Sequence, residues 1–178
     1  MSGLAHWLAH FSRAVFIETG SKDGDSLADA AEHFIECHSI EINPAAHARC
    51  AERFQDLPHV HVHLGDSRDI LPRIINPKRH TTFYLDAHCE GAPSKVQEAD
   101  TECPLLGELE IITRMTWDLR PVIIIDDIHM FAPTYWTDPK TNHHLFTRAD
   151  WPTFETINAM LPGHWYIEDA ENRLGLWV

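Results

Sequence analysis

The chain is short of positive charge. Its 178 residues carry 14 Lys and Arg against 27 Asp and Glu, a formal net charge of −13. Such a surface repels a phosphate backbone, so no nucleic-acid partner is expected. Long apolar runs are missing too: none approaches the ~20 residues of a membrane span, and no membrane partner is expected. No basic segment leads into an apolar one at the N-terminus, so a signal peptide is not expected either. The four cysteines, Cys37, Cys50, Cys89 and Cys103, show no CxxC spacing. Free thiols in a reduced, cytoplasmic protein follow from that. Two phosphate-binding signatures are also lacking. GxxxxGK(S/T) occurs nowhere, and the one turn that could supply GxGxxG has Lys22 where its second glycine belongs.

What is present is a chain with 44% hydrophobic residues, enough for one domain spanning 1–178 with its own core. Strand patterns fall at 14–18, 37–42, 59–64, 81–86 and 121–126, and helical patterns at 25–35, 45–55, 67–75 and 104–117. Pro44 is placed to open the second helix. Leu4, Trp7, Leu8 and Phe11 add a short amphipathic helix in front. Alternating strands and helices predict an α/β fold, a Rossmann-like doubly wound and mostly parallel sheet. HWYIED and LGLWV near the end read as a hairpin over 164–178, adding an antiparallel pair at one edge. The connections 87–103 and 128–149 are long, and each follows the C-terminal end of a strand, where ligands bind in open α/β sheets.

The first turn reads FIETGSKDGDSL. A carboxylate at the end of a strand is a poor neighbour for a diphosphate and a good one for a cation. A ligand with a sulfonium and an amino group suits it. Glu18-x-Gly20-x-x-x-Gly24-x-Ser26 resembles motif I of the class I S-adenosylmethionine-dependent methyltransferases. His38-Ser39-Ile40-Glu41-Ile42-Asn43-Pro44 resembles their second-strand motif, and Gly65-Asp66-Ser67-Arg68-Asp69-Ile70-Leu71-Pro72 the segment that flanks the adenine. The resemblance covers roughly residues 14 to 130 and is closest to the metal-dependent, catechol-type O-methyltransferases. It implies cofactor contacts at Glu18, Gly20, Gly24, Ser26, Glu41, Asp66 and Ser67. Independently of any family, an acid 23 residues past Glu18 at the next strand end suits a ribose diol, because a carboxylate accepts two hydrogen bonds side by side.

FYLD and IIIDD end the fourth and fifth strands in acids, Asp86, Asp126 and Asp127. If those strands are neighbours, three carboxylates meet at one edge and repel one another unless a cation lies between them. Oxygen donors suit Mg²⁺, Mn²⁺ or Ca²⁺. The resemblance implies a metal at these positions, Mg²⁺ or another divalent ion, that gathers two oxygens of the acceptor. The Asp-Asp pair is also similar to that of the macrolide sugar O-methyltransferases. The catechol-type enzymes carry a Lys base three residues after the strand-four Asp. Cys89 stands there instead, so His88, flanking it, is the candidate catalytic base.

These residues lead to an enzyme, an S-adenosylmethionine-dependent and metal-assisted O-methyltransferase. Its acceptor is a small molecule with vicinal oxygens, held by the two long connections with Tyr135, Trp136 and His143. A homodimer is left open. A metal-dependent hydrolase and a non-catalytic binding protein of the same fold remain as alternatives. His59, His61 and His63 share one face of the third strand and read as the polar face of an edge strand, with a metal row as the alternative. His88, Cys89, Cys103 and His129 are an irregularly spaced zinc alternative.

Overall fold

The structure, a computed structural model, describes residues 8–10, 14–88, 101, 103–131, 151–163, 165–167 and 175–177. Five strands, β1 (Val15–Thr19), β2 (Glu36–Glu41), β3 (Val60–Leu64), β4 (Thr81–Leu85) and β5 (Val122–Ile125), lie parallel in the order β3-β2-β1-β4-β5. β6 (Trp165–Ile167) and β7 (Gly175–Trp177) extend the same sheet beyond β5, with β7 antiparallel to β5 and β6 antiparallel to β7. The expected antiparallel pair is therefore present at the edge; the turn between its strands lies outside the described residues.

The central strands β1, β4 and β5 are buried along their whole length because both faces of the sheet are covered there. Val15, Ile17, Phe83, Leu85, Ile123 and Ile125 point into one core, which α3 (Ser67–Ile74), α4 (Leu105–Arg114) and α5 (Phe154–Met160) close with Leu71, Leu105, Leu109, Ile112 and Ile157. Phe16, Cys37, Tyr84, Val122 and Ile124 point into the other, closed by α1 (Asp25–Ala31) and α2 (Pro44–Phe54) with Leu27, Ala30, Cys50 and Phe54. Leu8, in a helical stretch at 8–10, is fully buried in that second core; the rest of the expected N-terminal helix lies outside the described residues. Cys37, Cys50 and Cys103 are buried thiols.

Local chemistry accounts for the element ends. The Asn43 side chain accepts from the Ala45 and Ala46 amides at 3.0 Å, and Pro44 takes the first helical position. α4 stops at Arg114, short of the expected 117, where the Trp117 indole donates to the Ile112 carbonyl at 2.9 Å. α5 was not anticipated from the sequence. Its cap is Thr153, whose hydroxyl accepts the Thr156 amide. β3 is the sheet edge opposite β6, as its polar face predicted. His61 and His63 both stack on His38 of β2, with ring centroids 5.0 and 5.2 Å apart.

The ladder continues one residue past the strands. The Gly20 amide bonds the Ile40 carbonyl, the Asp86 amide Thr19, the Gly65 amide Glu41, and the Asp126 amide Leu85, at 2.8–3.1 Å. The turns after β1, β2, β3, β4 and β5 therefore start at one common edge. Gly20 sits there with φ +87°, and a Cβ on it would lie 2.5 Å from the Asp86 carbonyl oxygen. That neighbour is backbone and cannot swing aside. Gly20→Ala is expected to destabilise the protein by about 2–4 kcal/mol, left-handed strain plus overpacking. Urea unfolding checks this; a loss under about 0.5 kcal/mol would mean that β1 and β4 are not so tightly apposed.

Candidate functional site

Two groups of side chains meet at this edge. The first surrounds the turn after β1. Glu18 is fully buried; its carboxylate accepts from the Ser26 hydroxyl, and from Ser39 at 2.5 Å. Burial pushes its carboxyl up to about 7 against the pull of the two hydroxyls. Glu18 thus fastens α1 and β2 to the turn from beneath. Gly24 precedes α1 at φ +80°, and a Cβ there would strike the Phe54 ring at 2.7 Å.

Glu41 is the second fastening. One carboxylate oxygen accepts the Lys22 amide and the other the Asn43 amide, each at 2.8 Å. The end of β2 is thereby tied to the turn after β1. Each of those oxygens keeps a second lone pair, so a diol can still be accepted. Asp66 caps α3 through the Arg68 amide at 2.8 Å and pairs with the Arg68 guanidinium, which holds its carboxyl below the usual range. Ser67 is buried behind it. Asp66 therefore has a structural duty here, beside the adenine contact that the resemblance implies.

The second group lies at the ends of β4 and β5, which are neighbours as the acid pattern requires. Asp86, His88 and Asp127 bring one ligand atom each to within 4.8 Å of one another, the one such group of metal-capable side chains among the described residues. The His59, His61 and His63 row forms no such group. His88 Nε2 lies 3.0 Å from Asp127 Oδ2, and Nδ1 lies 3.6 Å from Asp86 Oδ1. The imidazole is only 5% exposed, its ring edge-on to Phe131 and Trp151 at 6.5 and 5.3 Å. Asp127 has φ +48°, a left-handed conformation that Asp and Asn tolerate better than most residues. That turn brings its carboxylate back onto His88.

Asp126, expected in this group from the sequence, is engaged elsewhere. Oδ1 accepts the Asp127 amide at 2.8 Å and Oδ2 the Tyr84 hydroxyl. Burial raises the carboxyl of Asp126, and burial with the neighbouring acids raises the phenol of Tyr84. His88, expected as a base, has both nitrogens facing carboxylates. The zinc alternative cannot be assembled among the described residues: Cys89 and the His129 side chain lie outside them, as do Tyr135, Trp136 and His143.

Sequence reading missed Glu108. It projects from α4 into the space between the two groups and is 1% exposed, and its Oε1 has no hydrogen-bond partner among the described residues. The Thr19 hydroxyl, at the end of β1, is also buried; it and the Ser67 hydroxyl bear on the Glu108 carboxyl and pull against the effect of its burial. Glu108 and His88 line one cavity of about 10 Å³, with Leu85, Ala87, Cys103 and Phe131. A signal was present: Leu105, Glu108, Leu109 and Ile112 follow i, i+3, i+4, i+7, so the acid sits on the core-facing stripe.

No protein-family model matches the sequence, and no curated protein matches it. Solved structures do. The SAH-bound methyltransferase PaMTH1 of Podospora anserina superposes with a TM-score of 0.65 at 11% identity, over 98% of this chain and 76% of that one. A SAM-dependent methyltransferase from Aquifex aeolicus gives 0.63 at 12% identity, over 98% and 88%. The O-methyltransferase TomG of Streptomyces achromogenes, involved in tomaymycin synthesis and solved with SAM, gives 0.59 at 16% identity, over 98% and 77%. The chain therefore has the Rossmann-like fold of S-adenosylmethionine-dependent methyltransferases, as the first-turn motifs implied. Among the described residues no helix is long and apolar enough to cross a membrane.

Burial pushes the Glu108 carboxyl up to about 7 from its ordinary 4.5. The folded state then holds this proton more tightly than the unfolded chain. Its stabilising share is complete below pH 4.5 and is lost as pH rises to about 7, by up to about 3 kcal/mol at 1.36 kcal/mol per unit. Glu108→Gln has no such proton to lose. Urea unfolding at pH 5 and pH 8 should show the variant losing about 2–3 kcal/mol less than the parent between the two. Equal losses in both proteins would place Glu108 in water.

Proposed function

We propose that the protein is an S-adenosylmethionine-dependent O-methyltransferase of one domain. It acts on a small acceptor with vicinal oxygens, with a divalent ion at Asp86 and Asp127. The observation that carries this reading is the position of Glu41. It stands at the end of β2, ties down the turn after β1, and retains an open lone pair on each oxygen for a ribose diol. The acid cluster lies two strands away on the same edge, beyond Gly20 and Asp86, which are in backbone contact. A hydrolase would use the cluster and need Glu41 only as a fastening, leaving its remaining lone pairs without a ligand.

The donor set fits a cation. Two partly exposed carboxylates and a buried imidazole offer three ligand atoms within 4.8 Å of one another. The bound cofactor supplies an electrophilic methyl group, and the ion neutralises charge at the acceptor hydroxyl. The protein's own part is positioning. Glu18 and Glu41 fix the first turn, the β1–β4 contact fixes the distance from that turn to the acids, and Asp126 with Tyr84 supports Asp127 from behind. Transfer is a direct displacement, for which fixed geometry supplies most of the rate. If the ion is dispensable, His88 with Nε2 on Asp127 takes the acceptor's proton instead.

Glu41→Ala should weaken S-adenosylmethionine binding by about 1.5–3 kcal/mol, on the order of 10–150-fold, in calorimetric titration of a variant that melts cooperatively. Unchanged affinity would remove Glu41 from the site. Asp86→Ala should leave cofactor affinity within about twofold and abolish methyl transfer to a panel of catechols, vicinal diols and sugars, followed with methyl-labelled cofactor. Asp127→Asn should be milder, because the amide keeps a coordinating oxygen and tolerates the left-handed turn. A chelator should reproduce the loss and a divalent ion reverse it. Transfer indifferent to the chelator would leave the His88 mechanism in its place.

A further inference from the structure

We infer that the β2–β3 edge is a proton switch: Glu36, His38 and His63 form a chain that joins the two strands through one hydrogen between imidazoles, and a second hydrogen at that joint opens the edge beside the cofactor turn. The chain starts at an ion pair, Glu36 Oε2 on Arg79 Nη1 at 2.5 Å. The other Glu36 oxygen lies 2.8 Å from His38 Nε2, and His38 Nδ1 lies 3.0 Å from His63 Nε2 on β3. A carboxylate only accepts, so His38 carries hydrogen on Nε2. Neutral His38 then has a bare Nδ1, to which His63 donates from Nε2. One added proton can be housed. His38 becomes cationic beside Glu36, and His63 moves its hydrogen to Nδ1 and accepts at Nε2. A further proton cannot be housed, because two N–H groups would face each other across 3.0 Å.

The surroundings resist the added charge. The titratable groups that face the pair are Glu36 of β2, Arg79 before β4, His61 of β3 and His47 of α2, so Glu36 alone among them is an acid. His61 stacks on His38, and His47 reaches the Val62 carbonyl of β3. Burial pushes His38 down against the pull of Glu36, and pushes His63 down to about 4 with the neighbouring imidazoles adding to it. A neutral base held this way takes up its proton on opening. Closure is therefore secure above the ordinary 6.5 and weakens as pH falls towards about 4. β3 ends the sheet and pairs with β2 alone among the strands. His63 stands opposite Ile40, Leu64 opposite Glu41, and the Gly65 amide then bonds the Glu41 carbonyl at 3.0 Å. Opening at His63 loosens Glu41 and the Asp66 segment together. The effect on S-adenosylmethionine rests on the function proposed above; the opening itself does not.

Imidazole ¹⁵N shifts and amide hydrogen exchange, read on the parent and on His63→Gln, test this. At about pH 7.5 the parent should carry hydrogen on Nε2 alone in both His38 and His63. Between about pH 7.5 and pH 5 its Gly65 protection factor should fall by about tenfold relative to the amides of β1. His63→Gln should hold Gly65 within about twofold, because a Gln amide donates to or accepts from His38 and takes up no proton. Over the same range S-adenosylmethionine affinity should fall at least about threefold more in the parent than in the variant. Gly65 protection that stays constant, or that falls equally in both proteins, overturns the inference. So does a His63 ring protonated on both nitrogens while Gly65 stays protected. Should His63→Gln fail to fold, the ring shifts and the Gly65 protection of the parent decide. Affinity that falls equally in both proteins overturns the action on the cofactor. Failure of the parent to bind S-adenosylmethionine at about pH 7.5 overturns the methyltransferase reading, while Gly65 still reports on the switch.

Discussion

The backbone contact between Gly20 and Asp86 is the constraint on which the rest depends. β1 lies between β2 and β4, so whatever follows β1 must pass between the turns that end its neighbours. Only a residue without a side chain fits against the Asp86 carbonyl, and it does so at a φ that other residues avoid. This closeness sets the Glu18–Glu41 turn beside the Asp86–His88–Asp127 cluster. A cofactor held at one and an acceptor held at the other would be within reach because the sheet admits no gap between them.

Charge organises the same edge. Glu18, Glu41, Asp66, Asp86, Asp126 and Asp127 all lie at or just beyond the ends of parallel strands, and the protein manages each differently. Glu18 is buried under two hydroxyls, Glu41 takes two amides, Asp66 takes a guanidinium, and Asp126 takes a phenol. Asp86 and Asp127 are the two that converge on an imidazole, and they are the more solvent-accessible members of the cluster. A carboxylate satisfied from within the fold is a fastening.

Much of this was legible in the sequence, for physical reasons. β1, β4 and β5 announced themselves because strands buried on both faces carry apolar runs, β3 because an edge strand alternates polar with apolar, and Gly20 and Gly24 because their turn tolerates no Cβ. Boundaries shifted by about one residue where the ladder outlasts the strand, as at Asp86 and Asp126. Other features were not legible. Asp126 and Asp127 are identical and adjacent in sequence, and only the left-handed backbone at Asp127 separates a core-facing acid from one that meets His88. That Glu108 and His88 line one cavity depends on how α4 lies against the sheet, which no local pattern encodes. Glu108 on an apolar stripe was a readable anomaly. α5 is short, and its Thr153 cap is a weak signal beside the long connection before it.

The central claim is that the edge formed by the turns after β1 and β2 binds S-adenosylmethionine. The most direct test is amide chemical-shift mapping on ¹⁵N-labelled protein as the cofactor is added. The account predicts saturable one-to-one changes concentrated at Gly20, Lys22, Gly24, Glu41 and Asn43, with smaller ones at Asp66 and Asp86. It predicts little change at the opposite end of the sheet, around Trp117 and Pro121. No saturable change, or changes centred on that opposite end, would contradict it.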